Sequence, residues 1–346
     1  MKKQVIISML MTLCLMVGAA ICADARANLG AQKDPQAAPR KQSKEKAQQP
    51  YAEEEMTGSA VMWEDPVDLE QRDLFYGIGG KKGEPDLSAR FTFVERKTTG
   101  HWKKIAAEDD RDRRWVVKFG PEARPETVAS RIVWAVGYHT DQDYFVKRVR
   151  IEGYGDDEVR DVRFERDNDG FKKVERWSWD ANPFVGTREL DGLKVLMALL
   201  NNFDLKSLNN KIVRPSKKKG GEAAKLIYYV SDLGATLGST GKWFTSLPLF
   251  GEMPAGTQGK PKDFAEHRFI ADVSHGEVYF HNKRQRAGRA LEGVRVENAC
   301  WMGNLLARLS DKQLTDAFRA GGFDEAETAV YMRALRDRIS QLQNLK

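Results

Sequence analysis

The spacing of apolar residues changes along the chain, and this change restricts the fold more than any single motif does. In the first part, apolar and polar residues alternate with period two, as in RRWVVKFG, where Trp115 and Val117 share one face and Lys118 the other. In roughly the last fifty residues, the apolar spacing is helical. Strands followed by helices predict an α+β fold with two lobes, one strand-rich and one helical.

Composition and pattern divide the chain into four segments. Residues 1–27 contain a basic start, an apolar run and small residues for cleavage, which together predict a secretory signal peptide. Residues 28–60 have almost no large apolar side chains, so we expect a disordered linker. The strand-rich N-terminal lobe is predicted over 61–150 and the helical C-terminal lobe over 151–346.

The signal peptide indicates where the mature chain acts. Its removal implies a periplasmic or secreted protein. Lipoprotein anchoring on Cys22 is disfavoured, because Ile21 stands where a small residue is expected. No later apolar run is long enough to span a bilayer, so we expect no transmembrane segment in the mature chain.

Charge and cysteine content argue against several classes of function. The whole chain carries +6, and removal of the net +2 of residues 1–27 leaves about +4, which is too little to indicate a nucleic-acid partner. Cys300 stands alone outside the signal peptide, so the sequence has no disulfide framework. The five histidines show no ligand spacing with a cysteine or with one another, and zinc is therefore not expected.

The polar segment FDLKSLNN, residues 203–210, follows a predicted amphipathic helix and has two interpretations. It is either the polar end of that helix, where Asp and Asn are common turn residues, or a loop that carries chemistry. Phosphoryl transfer needs a carboxylate that orients the acceptor hydroxyl, and oxygen ligands that hold Mg²⁺. Asp204 offers the first, while Asn209 and Asp232, at the end of the apolar segment LIYYVSD, offer the second. Lys206 lies in the same loop.

These motifs resemble those of the protein-kinase-like superfamily. DLKSLN is similar to its catalytic-loop pattern Asp-Leu-Lys-x-x-Asn, and DLG at 232–234 is similar to its metal-binding Asp-Phe-Gly. Lys118 in VVKF resembles the strand lysine that holds nucleotide phosphates, and Glu126 in RPETVASR resembles its helix partner. Their separation of eight residues is closer to atypical kinases than to ordinary protein kinases. Over most of residues 70–340, the chain also resembles a family of uncharacterised exported bacterial proteins with this fold.

The resemblance implies a bilobal protein-kinase-like fold and an ATP- and Mg²⁺-dependent phosphotransferase whose acceptor is unknown. By the same resemblance, Asp204 would orient the acceptor hydroxyl and Lys206 would neutralise charge on the transferred group. Lys118, paired with Glu126, would hold the nucleotide. Asp232 would bind the metal together with Asn209 or, since the asparagine is doubled, with its neighbour Asn210.

Two features depart from the superfamily pattern. Asn202 and Phe203 stand where His-Arg normally precedes the catalytic aspartate. Residues 91–101 contain no glycine-rich loop of kinase type, although KTTGH is a candidate turn. These departures, with the predicted export to a compartment poor in ATP, favour an alternative: a catalytically inactive kinase-fold protein that acts as a binding or scaffold protein in the cell envelope.

Overall fold

The computed structural model describes most of the chain beyond the predicted linker. The described residues are 58–98, 102–155, 158–167, 170–216, 225–238, 257–281 and 288–346. They belong to one compact unit, Tyr51–Lys346. The predicted signal peptide, Cys22 and nearly all of the predicted linker lie outside the described residues.

The described part of the chain contains both strands and helices. The strands are β1 (Ser59–Val61), β2 (Phe91–Lys97), β3 (Lys104–Asp109), β4 (Arg114–Lys118), β5 (His139–Thr140), β6 (Asp143–Val149), β7 (Ile151–Glu152), β8 (Val159–Arg166), β9 (Phe171–Glu175), β10 (Asn210–Pro215), β11 (Lys225–Val230), β12 (Ile270–Ser274), β13 (Glu277–Phe280) and β14 (Val294–Arg295). The helices are α1 (Gly80–Gly83), α2 (Ala123–Ala135), α3 (Arg188–Leu199), α4 (Pro261–Glu266), α5 (Val296–Ala307), α6 (Asp311–Ala320) and α7 (Glu325–Gln343). Together they give an α+β chain.

A six-stranded sheet forms the N-terminal lobe, with the strand order β6-β8-β4-β3-β2-β7. One face carries a buried apolar core that includes Phe91, Trp115, Val117 and Phe164. Lys118, the last residue of β4, points to the other face, toward helix α2, as the alternation predicts. Because β8 lies between β6 and β4, this sheet extends past residue 150, where the sequence pattern placed the end of the lobe.

The C-terminal lobe is built on a second, larger core that the helices α3, α5, α6 and α7 share with strands β10 and β11. Strand β1 pairs in parallel with β11, so residues 59–61 join this lobe although they precede the N-terminal sheet. Helix α2 also contributes apolar residues to this core, including Val128 and Ile132. The predicted α+β fold with a strand-rich and a helical lobe is confirmed, and the two lobes meet at Lys118.

The helix before the polar segment forms as its apolar spacing predicts. Thr187 caps the N-terminus of α3 by accepting a hydrogen bond from the Leu190 amide. The helix ends at Leu199, and Asn201 follows with a φ of 52°, a left-handed conformation that Asn tolerates better than most residues. The chain then continues through residues 202–209 into the β10/β11 hairpin, in which Asn210 is the partner of Val230. The polar segment is therefore a loop that follows the helix end.

The helices of the described chain give no membrane span. Within the described ranges, no helix combines the length and the apolar character that crossing a bilayer requires.

Candidate functional site

The Lys118 ammonium lies at the junction of three elements. Its Nζ is 3.0 Å from Glu126 Oε2 in helix α2 and 2.5 Å from Asp232 Oδ1 after strand β11. A third carboxylate, that of Glu122, has its Oε2 2.5 Å from the same nitrogen. Only 2% of the Lys118 side chain is exposed. Burial alone would lower the pKa of Lys118, but Glu126, Asp232 and Glu122 raise it above its ordinary value, so the side chain stays charged.

Arg163 is a second buried cation at this site. It is the cross-strand partner of Lys118 between β8 and β4, so the two side chains lie on the same face of the sheet. Its Nη1 lies 2.7 Å from Glu126 Oε1 and 3.1 Å from Asp143 Oδ1, and its Nη2 lies 2.6 Å from Glu165 Oε2. Burial raises the pKa of Glu126, and the charges of Arg163 and Lys118 oppose that rise. Glu126 is therefore fixed from two sides by cations.

Asp232 follows strand β11 in a strained backbone conformation. The strand ends at Val230, and Asp232 has a φ of 53°, so the alternation of the strand does not continue to this residue. The chain therefore changes direction at Asp232, two residues before Gly234. Burial disfavours the charge of Asp232, but Lys118 and Lys104 outweigh this effect and lower its pKa to about 2. The carboxylate is therefore ionised at neutral pH.

Gly234 allows the segment after Asp232 to approach helix α2 closely. A Cβ at this position would lie 2.5 Å from Glu122 Cβ, closer than carbon atoms pack. A side chain here would therefore push apart the two segments that bring Glu122 and Asp232 to Lys118.

The loop between α3 and β10 holds the remaining predicted residues. Lys206 Nζ lies 2.7 Å from Asp204 Oδ1, and the Asn209 side-chain amide donates to the Asp204 carbonyl oxygen over 2.8 Å. The Asn202 side-chain oxygen accepts a hydrogen bond from the Asp204 amide at 2.9 Å. The Ser231 amide donates to the Asn209 carbonyl oxygen at 3.0 Å, which ties this loop to the residue before Asp232.

A cavity of about 190 Å³ opens beside these groups. Among the described residues, its lining is largely ionisable and has a single apolar member, Leu208; it consists of Lys104, Glu126, Asp141, Arg163, Glu165, Lys173, Leu208, Asn209, Asn210, Lys211, Ser231 and Asp232. The Lys211 ammonium lies 2.5 Å from Asp141 Oδ1, and the charge of Asp141 raises the pKa of Lys211 although burial opposes this. Such a lining suits a strongly polar ligand.

The structure thus brings most of the predicted site residues together. Lys118, Glu126 and Asp232 are in direct contact, and Asn209 lines the same cavity as Asp232. Asp204 and Lys206 lie in the loop that Asn209 closes. This placement alone does not assign a chemical role to any of these residues.

Sequence reasoning missed two groups that contact the predicted residues. Arg163 alternates with the apolar Val162 and Phe164, a pattern that puts it on one face of a strand. Only the pairing of β8 with β4 shows that this face is the one that carries Lys118. Glu122 lies in the turn between β4 and α2, and no local pattern of the sequence marks it.

Comparisons with known proteins add little to this geometry. No protein-family model matches the chain, and no curated protein matches it. Among solved structures, the chain is similar to the Helicobacter pylori proinflammatory kinase CtkA, with 14% sequence identity and a TM-score of 0.43. The match covers 73% of this chain and 95% of the other. A likeness of this size assigns no function, and the resemblance to exported bacterial proteins stays a prediction.

Proposed function

We propose that the protein is an ATP- and Mg²⁺-dependent phosphotransferase of atypical kinase fold. The observation that carries this proposal is the contact of one buried ammonium, Lys118, with both Glu126 and Asp232, which lie 8 and 114 positions away in the sequence. Phosphoryl transfer depends on placing cations and oxygen ligands around phosphate groups. This arrangement offers both within one cleft between the lobes.

Lys118 would hold the α- and β-phosphates of the nucleotide. Glu126 keeps the ammonium in place, because its carboxylate is fully buried and is itself held by Arg163. A lysine that is fixed before binding loses less side-chain entropy when it meets a phosphate. The pair would therefore contribute both charge and position.

Asn209 and Asp232 fit a magnesium ion. Carboxylate and amide oxygens are the ligands that Mg²⁺ prefers, and the pKa of about 2 keeps Asp232 ionised. The hydrogen bond from the Asn209 amide nitrogen to Asp204 orients the side chain and keeps its oxygen available for a cation. Asn210 is less suitable, because it is 1% exposed and its amide donates to the Trp177 carbonyl oxygen. Bound magnesium would neutralise phosphate charge and orient the transferred group.

Asp204 would orient the acceptor hydroxyl and accept its proton. Its backbone is positioned from two sides, by Asn202 at its amide and by Asn209 at its carbonyl. Lys206, whose side chain is 40% exposed and paired with Asp204, would neutralise charge on the transferred phosphoryl group. The acceptor, a protein or a small molecule, is unidentified.

A second candidate is a kinase-fold binding or scaffold protein without turnover. It is favoured by Asn202 and Phe203 in place of His-Arg, and by the expected location in the periplasm or outside the cell. In this case the nucleotide cleft would serve binding alone.

A thermal-shift titration of the mature chain with Mg-ATP separates these functions. Ligand at a hundred times its dissociation constant stabilises a protein by about 2.7 kcal/mol, which raises the melting temperature of a domain this size by about 5–10 °C. The Asp232→Ala variant should lose the shift. A wild-type chain that shows no shift, or a variant that shifts equally, would exclude the nucleotide site. Binding without phosphate transfer to any acceptor would favour the scaffold.

A further inference from the structure

Three carboxylates crowd the Lys118 ammonium, which donates hydrogen bonds to Glu126 and Asp232 and forms an ion pair with Glu122. A lysine ammonium has three N–H donors, and three carboxylates lie within 3.0 Å of its nitrogen, those of Glu122, Glu126 and Asp232. A phosphate oxygen that binds Lys118 must therefore displace one of these carboxylates or lie close to its negative charge. The three carboxylates differ in how easily they can do so.

Glu126 is the most firmly held of the three. It is fully buried, and the Arg163 guanidinium binds its other oxygen at 2.7 Å. Asp232 has 34% of its side chain exposed and would turn toward the metal in the proposed function. Among the described residues, the ion pair found for Glu122 is the one with Lys118.

Glu122 is also placed where its charge would face a bound phosphate. It precedes helix α2, and its carbonyl oxygen accepts a hydrogen bond from the Glu126 amide, so the two glutamates stand one turn apart beside Lys118. The side chain of Glu122 is 13% exposed, so solvent screens its charge only in part. Its carbon atoms pack against Gly234, next to Asp232.

We infer that Glu122 is a positioning residue that competes with the nucleotide phosphates for Lys118 and thereby weakens nucleotide binding. The inference rests on the proposed function, because it concerns the same lysine. In the free chain, the Glu122 carboxylate lies 2.5 Å from the ammonium and helps to keep it in place. When a nucleotide binds, the Glu122 carboxylate either leaves Lys118 or stays as a like charge beside the phosphates, and both outcomes cost binding free energy.

The substitution Glu122→Gln tests this inference, since glutamine keeps the shape that packs against Gly234 and removes the charge. The dissociation constant for Mg-ATP, measured by titration calorimetry on the mature chain, should fall about tenfold, which corresponds to about 1.4 kcal/mol. Glu122→Ala should change it in the same direction. The matched control is Glu158→Gln, which removes a carboxylate that pairs with Arg148 at the surface of the N-terminal sheet and is 39% exposed, and it should leave the constant unchanged.

Two further ligands separate an electrostatic effect from a general structural one. Magnesium tripolyphosphate should bind Glu122→Gln more tightly than the wild type, whereas adenosine, which has no phosphate, should bind both equally. Equal or weaker binding of Mg-ATP by both Glu122 variants, with a wild type that binds, would overturn the inference and leave the proposed function intact. If no form of the protein binds Mg-ATP or tripolyphosphate, the proposed function fails and the inference fails with it.

Discussion

Replacing Arg163 by Met removes a buried cation that three carboxylates share. Its guanidinium lies 2.7 Å from Glu126, 3.1 Å from Asp143 and 2.6 Å from Glu165, and 2% of the side chain is exposed. Methionine fills much of the same space but leaves the buried carboxylates of Glu126 and Asp143 without this partner. Removing one partner of a buried ion pair costs about 3–5 kcal/mol. We expect the free energy of unfolding at pH 7 to fall by that amount.

This loss of stability should shrink as the pH falls. Burial already raises the pKa of both Glu126 and Asp143, and removal of the Arg163 charge would raise the pKa values further. A carboxyl group whose pKa is higher in the folded than in the unfolded protein binds its proton more tightly when folded. Protonation therefore favours the folded state as the pH falls through the folded pKa. The variant should recover part of its lost stability between pH 7 and pH 5.

Urea denaturation of the wild type and Arg163→Met at both pH values measures these effects. Arg148→Met is the matched control, because Arg148 lies in the same sheet but is 56% exposed and pairs with Glu158 at the surface. The control should lose less than about 1 kcal/mol, as exposed ion pairs do. A loss below about 1 kcal/mol for Arg163→Met, or one equal at both pH values, would refute the description of Arg163 as the shared cation.

Two other predictions concern Asp232 and the asparagine pair. Because the pKa of Asp232 is lowered from 3.8 to about 2, its stabilising effect is present above pH 4 and is lost as the pH falls toward 2. Allowing for partial exposure of Asp232, the difference in unfolding free energy between the wild type and Asp232→Asn should decrease by about 1–2 kcal/mol over this range. A difference that stays constant with pH would contradict the pairing of Asp232 with Lys118. Asn209→Ala should weaken the Mg²⁺ dependence of Mg-ATP binding with little change in melting temperature, whereas Asn210→Ala should lower stability by about 1–3 kcal/mol, because the Trp177 carbonyl oxygen loses its donor. The reverse result would make Asn210 the metal ligand.

Local patterns in the sequence predict the elements of the site well. Period-two alternation places Lys118 opposite Trp115, and the structure confirms that the lysine leaves the apolar face of β4. Helical spacing predicts α3, and the two apolar segments that follow it pair as the antiparallel strands β10 and β11. Ser310, a residue type favoured at helix N-termini, caps α6. These features depend on neighbours a few residues apart, which the sequence displays directly.

Local sequence patterns do not predict the contacts between different strands and helices. The position of Arg163 beside Lys118 depends on which strand lies next to β4, and that neighbour is 40 residues or more along the chain. The position of Glu122 depends on a turn in which the chain passes from β4 into α2. The left-handed backbone conformation of Asp232 is imposed by the surrounding structure, since an aspartate does not favour this conformation by itself. All three are products of packing, so a single sequence carries no signal for them.

The packing of helix α2 determines how the site can respond to a ligand. Val128 and Ile132 fix the helix in the C-terminal core, and Arg124 at its start pairs with Glu327 and donates to the Gly322 carbonyl oxygen. Glu126 therefore cannot move away without disturbing the C-terminal lobe, which also carries Asp232. Lys118 and Arg163 are the members of this cluster that belong to the N-terminal sheet.

It follows that the carboxylates of Glu126 and Asp232 form one half of the site, and the cations of Lys118 and Arg163 form the other. A change in the spacing between Lys118 and Asp232 would come from movement of the N-terminal sheet and not from the helix. Each such movement would stretch the contacts of Lys118 with both Glu126 and Glu122. Because all three side chains are buried or nearly so, the loss of these contacts costs more free energy than the loss of a single exposed ion pair. The nucleotide-free lobes should therefore be held in one arrangement by Lys118 and Arg163 together, and a ligand that binds the Lys118 ammonium would leave the Arg163–Glu126 ion pair in place.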